Sequence, residues 1–436
     1  MEGINTGTAF SNADQSGATA ESTVVRPLGA TERMWFRFGQ LHPQHFMLAA
    51  EFDTALTQDA VRTALAAVQQ RHPLLQVGID DSGAPGPVFR RPAQPPAIAL
   101  RSVRLETSDW TAVAADEYMV RFDPASAPLM RAVLAHSSDR SVLLLAFDHV
   151  ICDGVSAVRI LDELVAALNG RTLHALPVPS PHEELVAQAL DPVDPSVLAN
   201  LPEPEERMRP WPQYLPFASV RPVINTMTFD EATTAELVHA CRAQGTTVQS
   251  LFMAAFSQAR GTLRNENYVR VLTPIDTRTL LSAADASASV SITVARTGHD
   301  IASANDVWTR AKEANAQLQV TRSAPAVAVG ALAVGHFIAP DVSAANVEQF
   351  MNSQLAYEMQ VSNLRVVELS DSGALRPTAV WGPMLLLQID GETNAGVTTY
   401  DGKLRLVVSG YSPNDDLLEE VRRIITEASE GTRPQS

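Results

Sequence analysis

Between Leu176 and Pro222 the chain reads LPVPSPHEEL, then LDPVDP, then LPEPEERMRPWPQYLPFASVRP. Proline fixes φ and has no N–H to donate, so a run this dense in it excludes a long helix or a central strand and predicts an extended connector. At 436 residues the chain is also too long for one ordinary core, since domains usually run to ~100–200 residues. Both observations point to two lobes. We place them at residues 25–180 and 223–428, joined by a connector over 181–222, with polar tails over 1–24 and 429–436. The run PEPEER (202–207) reads as a solvated charge cluster in the connector.

Each half has mixed helix and strand patterning. LTQDAVRTALAAVQQRHP (56–73) places Val61, Leu65, Ala66 and Val68 on one helical face, with Pro73 as the stop. HPLLQVGID and PVFRRP read as short strands, and residues 127–147 as a hairpin turning at Ser137–Arg140. GVSAVRILDELVAALNG carries Val155, Val158, Leu161, Val165 and Leu168 at helical spacing and ends at Gly170. After the connector, TMTFDEATTAELVHACRAQGTTVQSLFMAAFSQA predicts a strand and two helices. Residues 267–278 read as a strand opening into a loop and 287–296 as another strand, and MLLLQID, AGVTTYDG and KLRLVVSGY as three more, the last two joined at Asp401–Gly402. The fold class expected is α/β (α+β).

Charge and cysteine content narrow the function. Hydrophobic residues make up 45% and charged residues 19%, a globular composition. The formal net charge is −16, and no stretch forms the basic stripe that a nucleic-acid partner requires. Cys152 and Cys241 are too few for a disulfide framework and lack zinc-ligand spacing, which fits a reducing cytoplasm. The first 24 residues have neither the basic start nor the apolar run of a signal peptide. Nowhere does the sequence approach the ~20 apolar residues of a membrane-spanning helix.

The stretch VLLLAFDHVICDG (142–154) carries the chemistry. A buried strand ends in His149, with Asp153 and Gly154 following at the start of a helix. Such a junction exposes a side chain and leaves backbone N–H groups free, so an imidazole there suits proton transfer. A lone histidine at a strand end is more often one satisfied by a backbone carbonyl, and the Asp-Gly pair is what sets this one apart. His42 and His45 have a spacing that could serve a metal, but no partner completes a set and a surface loop is the expected reading. Met34, Trp35 and Phe36 read as core.

DHVICDG resembles the HHxxxDG signature of nonribosomal-peptide condensation domains, chloramphenicol acetyltransferase and the polyketide-associated acyltransferases that esterify phthiocerol-type lipids. LGATERMWF (28–36), ALAAVQQRHPLLQ (64–76), AQGTTVQSLFMAAF (243–256), PIDTR (274–278) and VSNL (361–364) are similar to other segments of that superfamily, in the same order. Asp148 stands where the signature has its first histidine, and His149 is the second. The plant enzymes' DFGWG loop is absent, VWGPM (380–384) being the nearest stretch.

The resemblance implies two chloramphenicol-acetyltransferase-like lobes, each a mixed sheet with helices, arranged as a V around a central channel. It further implies an acyltransferase of secondary metabolism that moves an acyl group from a thioester to a hydroxyl. His149 would be the general base, with transfer direct and no covalent acyl-enzyme. Amide formation by a stand-alone condensation enzyme and a non-catalytic recruiting platform are the alternatives. The resemblance gives Asp153 a structural role in an ion pair with an arginine, for which Arg71 and Arg278 are the candidates. The Gly154 N–H, Ser362 and Asn363 are candidate oxyanion donors, and Asp148 is a further substrate-side candidate. No metal or tightly bound cofactor is expected. The donor would be an acyl-coenzyme A or an acyl carrier protein bearing phosphopantetheine, the acceptor a small alcohol or amine, and the protein a monomer.

Overall fold

The computed structural model describes residues 22–430, apart from 84, 106–108, 201–204, 282–286, 371–372 and 413–414. Most of the two tails, and residues 202–204 of the PEPEER run, therefore lie outside the described residues. The first half runs β1 (Thr23–Pro27), α1 (Ala30–Leu41), β2 (His45–Phe52), α2 (Gln58–Arg71), β3 (Gly78–Asp80), β4 (Val88–Arg91), β5 (Ala99–Arg104), α3 (Trp110–Tyr118), β6 (Met130–His136), β7 (Ser141–Asp148) and α4 (Gly154–Leu168). The connector contributes α5 (His182–Ala189) and two short 3₁₀ turns. The second half continues with β8 (Val223–Phe229), α6 (Glu231–Ala243), α7 (Val248–Arg264), β9 (Tyr268–Asp276), β10 (Ile292–Asp300), α8 (Val307–Thr321), α9 (Ala324–Phe337) and α10 (Ala344–Leu355). It closes with β11 (Met359–Val366), β12 (Ala379–Leu385), β13 (Thr393–Tyr400), β14 (Lys403–Gly410) and α11 (Asp415–Glu430).

These elements form a two-lobed mixed α/β fold. One lobe is built on a five-stranded sheet of order β12-β2-β7-β6-β5, the other on a six-stranded sheet of order β10-β9-β11-β13-β14-β8. A three-stranded sheet, β1-β4-β3, flanks the first. Local chemistry explains the helix starts: Thr57, Asp230 and Thr247 each accept a backbone N–H from the first turn of the helix they cap. On α2 the buried face is Val61, Ala64, Leu65 and Val68, so Ala64 takes the place expected of Ala66. The hairpin closes where Ser137 N–H donates to the Arg140 carbonyl, and Asp401 and Gly402 both take the left-handed backbone of a tight turn. HPLLQVGID is only partly strand, Pro73–Gln76 forming a 3₁₀ turn.

The halves are not independent. β12 comes from the second half, yet it pairs antiparallel with β2 and completes the first lobe's sheet. The segment expected as a strand over MLLLQID is the end of that strand, which starts at Ala379 and breaks register between Trp381 and Met384. The first lobe's core likewise takes in Leu272, Val290, Ile338 and Tyr357 from the second half. The second lobe keeps its own core of α6, α7, α8 and α11 residues against its sheet.

Candidate active site

All eight residues of β7 are buried, because it lies between β2 and β6 and is covered on both faces. The strand ends at Asp148, and the next residue is tied back by its N–H to the Gln44 carbonyl at 3.0 Å. That bond sets the His149 ring against α1 and β2. The imidazole stacks on Trp35 with centroids 4.3 Å apart and 11° between planes, and tilts against Phe46 at 5.1 Å. Nδ1 is buried and makes no hydrogen bond to another residue. Burial holds the imidazole pKa below its ordinary value, opposed by its own backbone carbonyl and by the Asp153 charge, so the ring is neutral at pH 7.

Asp153 caps α4 and is fully buried. Its Oδ1 accepts from Ser156 N–H at 2.9 Å, and its Oδ2 from Ser291 N–H at 2.7 Å and Arg278 Nη2 at 2.9 Å. Burial alone would raise this carboxyl's pKa, but the Arg278 charge and the two N–H donors outweigh it and hold the group below its usual range. Arg278 also reaches Asp276, the Ser156 hydroxyl and the Ser289 carbonyl, so its planar fork ties the first lobe's helix to the second lobe's β10 edge. Arg71 does not take part. It pairs with Glu163 at 2.7 Å and donates to the His174 carbonyl.

A cavity of about 240 Å³ opens between the lobes, with Phe46, His149, Gly154 and Val155 on one wall and Gln249, Thr273, Ser362 and Asn363 on the other. Gly154 is needed there because a Cβ would come within 2.9 Å of Leu364 Cδ2. The Asn363 Oδ1 accepts the Arg365 N–H at 2.7 Å, which leaves its NH₂ as a donor. A second cavity, of about 760 Å³, is lined by Met34, Trp35, Val334, Phe337 and Phe350. Trp35 therefore carries His149 on its face and walls this larger, mainly apolar space, while Ile292 borders both cavities.

Asp148, a substrate-side candidate by sequence, does not line the cavity that holds His149. It occupies a small recess with His45, Gln44 and Arg121 and accepts the Val150 N–H at 3.0 Å. Neighbours at a strand end point to opposite sides, so Asp148 turns away as His149 turns in. Burial raises its pKa to about 7, against the Val150 N–H and the charges of Arg131 and Arg121. His45 is not in a surface loop either. It is buried in β2 among Tyr118, Phe122 and Phe217, and burial with the Arg131 charge lowers its pKa to about 3. His42 stacks on Tyr214 and meets Glu348 at 2.6 Å. No cluster of three or more metal-ligating side chains occurs among the described residues.

Two site residues are not evident from sequence. Trp35 reads there as core, although it sits in the segment LGATERMWF that carries part of the resemblance. His182, from the connector, is buried with its Nε2 3.0 Å from the Thr277 hydroxyl. It packs beside the Asp153–Arg278 pair, and no spacing rule links it to the motif.

Residues 27–188 match the condensation-domain family. The chain is 28% identical over 176 residues to the nonribosomal peptide synthetase agiA of Aspergillus flavus, and 28% identical over 162 residues to malpibaldin synthetase of Mortierella alpina. These matches take in 37% and 33% of this chain, and the chain spans only 2% and 3% of the length of those two curated relatives. The condensation-domain fold extends to the whole chain. Polyketide synthase associated protein 5 from Mycobacterium tuberculosis superposes with a TM-score of 0.66 at 17% identity, covering 94% of this chain and 100% of that one. The epimerization domain from the third module of tyrocidine synthetase B gives 0.64 at 15% identity, covering 95% and 99%. The starter condensation domain of rhizomide synthetase RzmA, solved with C8-CoA and Leu-SNAC, gives 0.60 at 14% identity, covering 93% of each. One condensation-domain fold thus hosts different reactions, and the reaction has to be argued from the side chains. No helix among the described residues is long and apolar enough to cross a membrane.

Proposed function

We propose that the chain transfers an acyl group from a thioester, on coenzyme A or a carrier phosphopantetheine, to a hydroxyl acceptor, forming an ester. The observation that carries this reading is a neutral imidazole on the wall of a cavity between two lobes, stacked on Trp35 with Nδ1 buried. Nε2 is then the nitrogen left for a substrate. It takes the acceptor's O–H proton as that oxygen attacks the thioester carbonyl. The resulting oxyanion is met by the Gly154 N–H, the Ser362 hydroxyl and the Asn363 amide. Collapse breaks the C–S bond and the imidazolium returns its proton to the departing thiolate, so the products are an ester and a thiol. Asp153 and Arg278 hold the loop and touch no reacting atom. The larger cavity behind Trp35 leaves room for a second substrate.

The synthetase relatives favour a second reading, amide formation with an amine acceptor. An amine is already nucleophilic, and positioning would then supply more of the rate. Mass spectrometry of products from paired alcohol and amine pools, offered with acyl-coenzyme A and acyl-carrier donors, separates the two. Amides alone would sink the ester assignment.

The depressed imidazole pKa sets the pH dependence. The neutral ring is the active form, so activity is level from pH 7 upward and falls as pH drops through a value below the ordinary 6.5 of histidine. A kcat/KM profile checks this, and an inflection above pH 7 would contradict it.

Cys152 lies three residues from His149 and invites a rival scheme with an acyl-cysteine intermediate. Its side chain is fully buried, with Sγ 3.3 Å from the Asp153 carbonyl. Burial and the nearby Asp153 charge push the thiol pKa well above its ordinary value, against the pull of Arg278, so no thiolate forms near neutrality. Cys152→Ala is expected to keep substantial activity, and the intact mass after incubation with donor alone to be unchanged. A donor-dependent adduct mapped to Cys152 would overturn direct transfer.

A further inference from the structure

Two arginines, Arg322 and Arg365, also line the cavity that holds His149. Neither makes an ion pair among the described residues, and the Arg322 Nε is buried with no hydrogen-bond partner. Burial and then the Arg365 charge disfavour the Arg322 cation, so the two guanidinium groups lie close enough to repel. The carboxylate on the same wall, Asp276, is engaged with Arg278 at 3.0 Å. In a chain with 49 acidic and 33 basic residues, this cation pair has no ion-pair partner among the described residues.

The backbone adds an independent observation. Arg365 has φ +62°, a left-handed conformation that non-glycine residues seldom adopt. It is held there by the Asn363 side chain accepting its N–H, at the point where the β11–β13 ladder breaks register between Asn363 and Val366. Local strain that places an exposed arginine on the rim of the cavity calls for a ligand that repays it.

We propose that Arg322 and Arg365 form an anion site on this rim that takes the phosphate of a phosphopantetheine-bearing thioester. The proposal rests on the acyl-transfer reading of the same cavity. A guanidinium fork matches phosphate oxygens, and a phosphate anion relieves the repulsion between two cations that no other group among the described residues neutralises. The pantetheine 4′-phosphate is present in both sources, as part of a diphosphate in free coenzyme A and as a phosphodiester on the arm of a carrier protein.

The test is calorimetric binding of 4′-phosphopantetheine and of pantetheine, which lacks the phosphate. The unaltered protein is expected to prefer the phosphorylated compound by ~10-fold or more at low salt, less as salt is raised. In the R322Q/R365Q double variant the preference should vanish, with pantetheine affinity and melting temperature close to those of the parent. Arg365→Gln alone, at an exposed position, should lose part of the preference and serves if the double variant does not fold. Coenzyme A and a phosphopantetheinylated carrier, with the apo carrier as blank, then distinguish the source, and arginine-dependent binding of either supports the site. A preference that is absent in the parent, or that survives in the double variant, overturns it. Acyl transfer without any phosphate preference would sink this site and leave the transfer reading standing. An arginine-dependent preference with no transfer from any donor would uphold the site and sink the transfer reading.

Discussion

Replacing His149 with alanine should lower turnover by ~10²–10⁴-fold, the usual contribution of a positioned general base, while the protein stays folded. The acceptor hydroxyl is a weak nucleophile near neutrality, and the described lining of the cavity offers no other imidazole to take its proton. Some stability goes with the ring, because its stack on Trp35 is lost; such aromatic pairs contribute ~0.5–1.5 kcal/mol beyond their burial. That loss is small enough for the variant to be assayed at ordinary temperature. Turnover with a hydroxyl acceptor is the measurement, with circular dichroism to confirm the fold. Near-parental turnover would remove His149 from the mechanism and favour a scaffold that only positions its substrates.

Asp153→Asn should cost about 3–5 kcal/mol of stability, the range found when one partner of a buried ion pair is removed. The substitution is a clean test because asparagine is itself a good N-cap, so the start of α4 need not be lost. The loss comes from the charge and from donor geometry. Both carboxylate oxygens accept from N–H donors, Oδ1 from Ser156 and Oδ2 from Ser291 and Arg278. An amide turns one acceptor into a donor facing a donor, and leaves the Arg278 cation with Asp276 as its one countercharge among the described residues. Activity should fall together with melting temperature, since the same bonds hold the turn that carries His149. Lost activity at an unchanged melting temperature would instead give Asp153 a direct part in the chemistry. In the parent protein the carboxylate's pKa is depressed, so its contribution is complete above the unfolded value of ~3.9 and is lost as pH falls through the lower folded value.

The local pieces of this molecule are legible in its sequence. The hairpin at Ser137–Arg140, the turn at Asp401–Gly402 and the helices over residues 58–71 and 154–168 each depend on bonds between residues close in the chain, and their patterns are written in adjacent side chains. The His149–Asp153–Gly154 junction was legible for the same reason, and the order of similar segments extended that reading to the fold of the whole chain. What the tertiary structure alone decided involves residues far apart. Arg71 and Arg278 were equal candidates for Asp153 by sequence, and only the docking of the β10 edge onto α4 brings Arg278 to it while α4's own Glu163 takes Arg71. Trp35 is core, as its sequence context predicts, but that its face carries His149 is decided by the tertiary structure, because a buried ring looks the same in sequence whether it packs on a leucine or on an imidazole. Asp148 and His149 are adjacent and both polar, yet the strand's alternation sends one into a small recess beside His45 and the other to the cavity. The pairing of β12 with β2 joins the two halves across the proline-rich connector, and no local pattern could announce it. Sequence separation is the common physical cause: short-range hydrogen bonds and side-chain periodicity are encoded residue by residue, whereas contacts between distant segments are chosen by how whole faces pack.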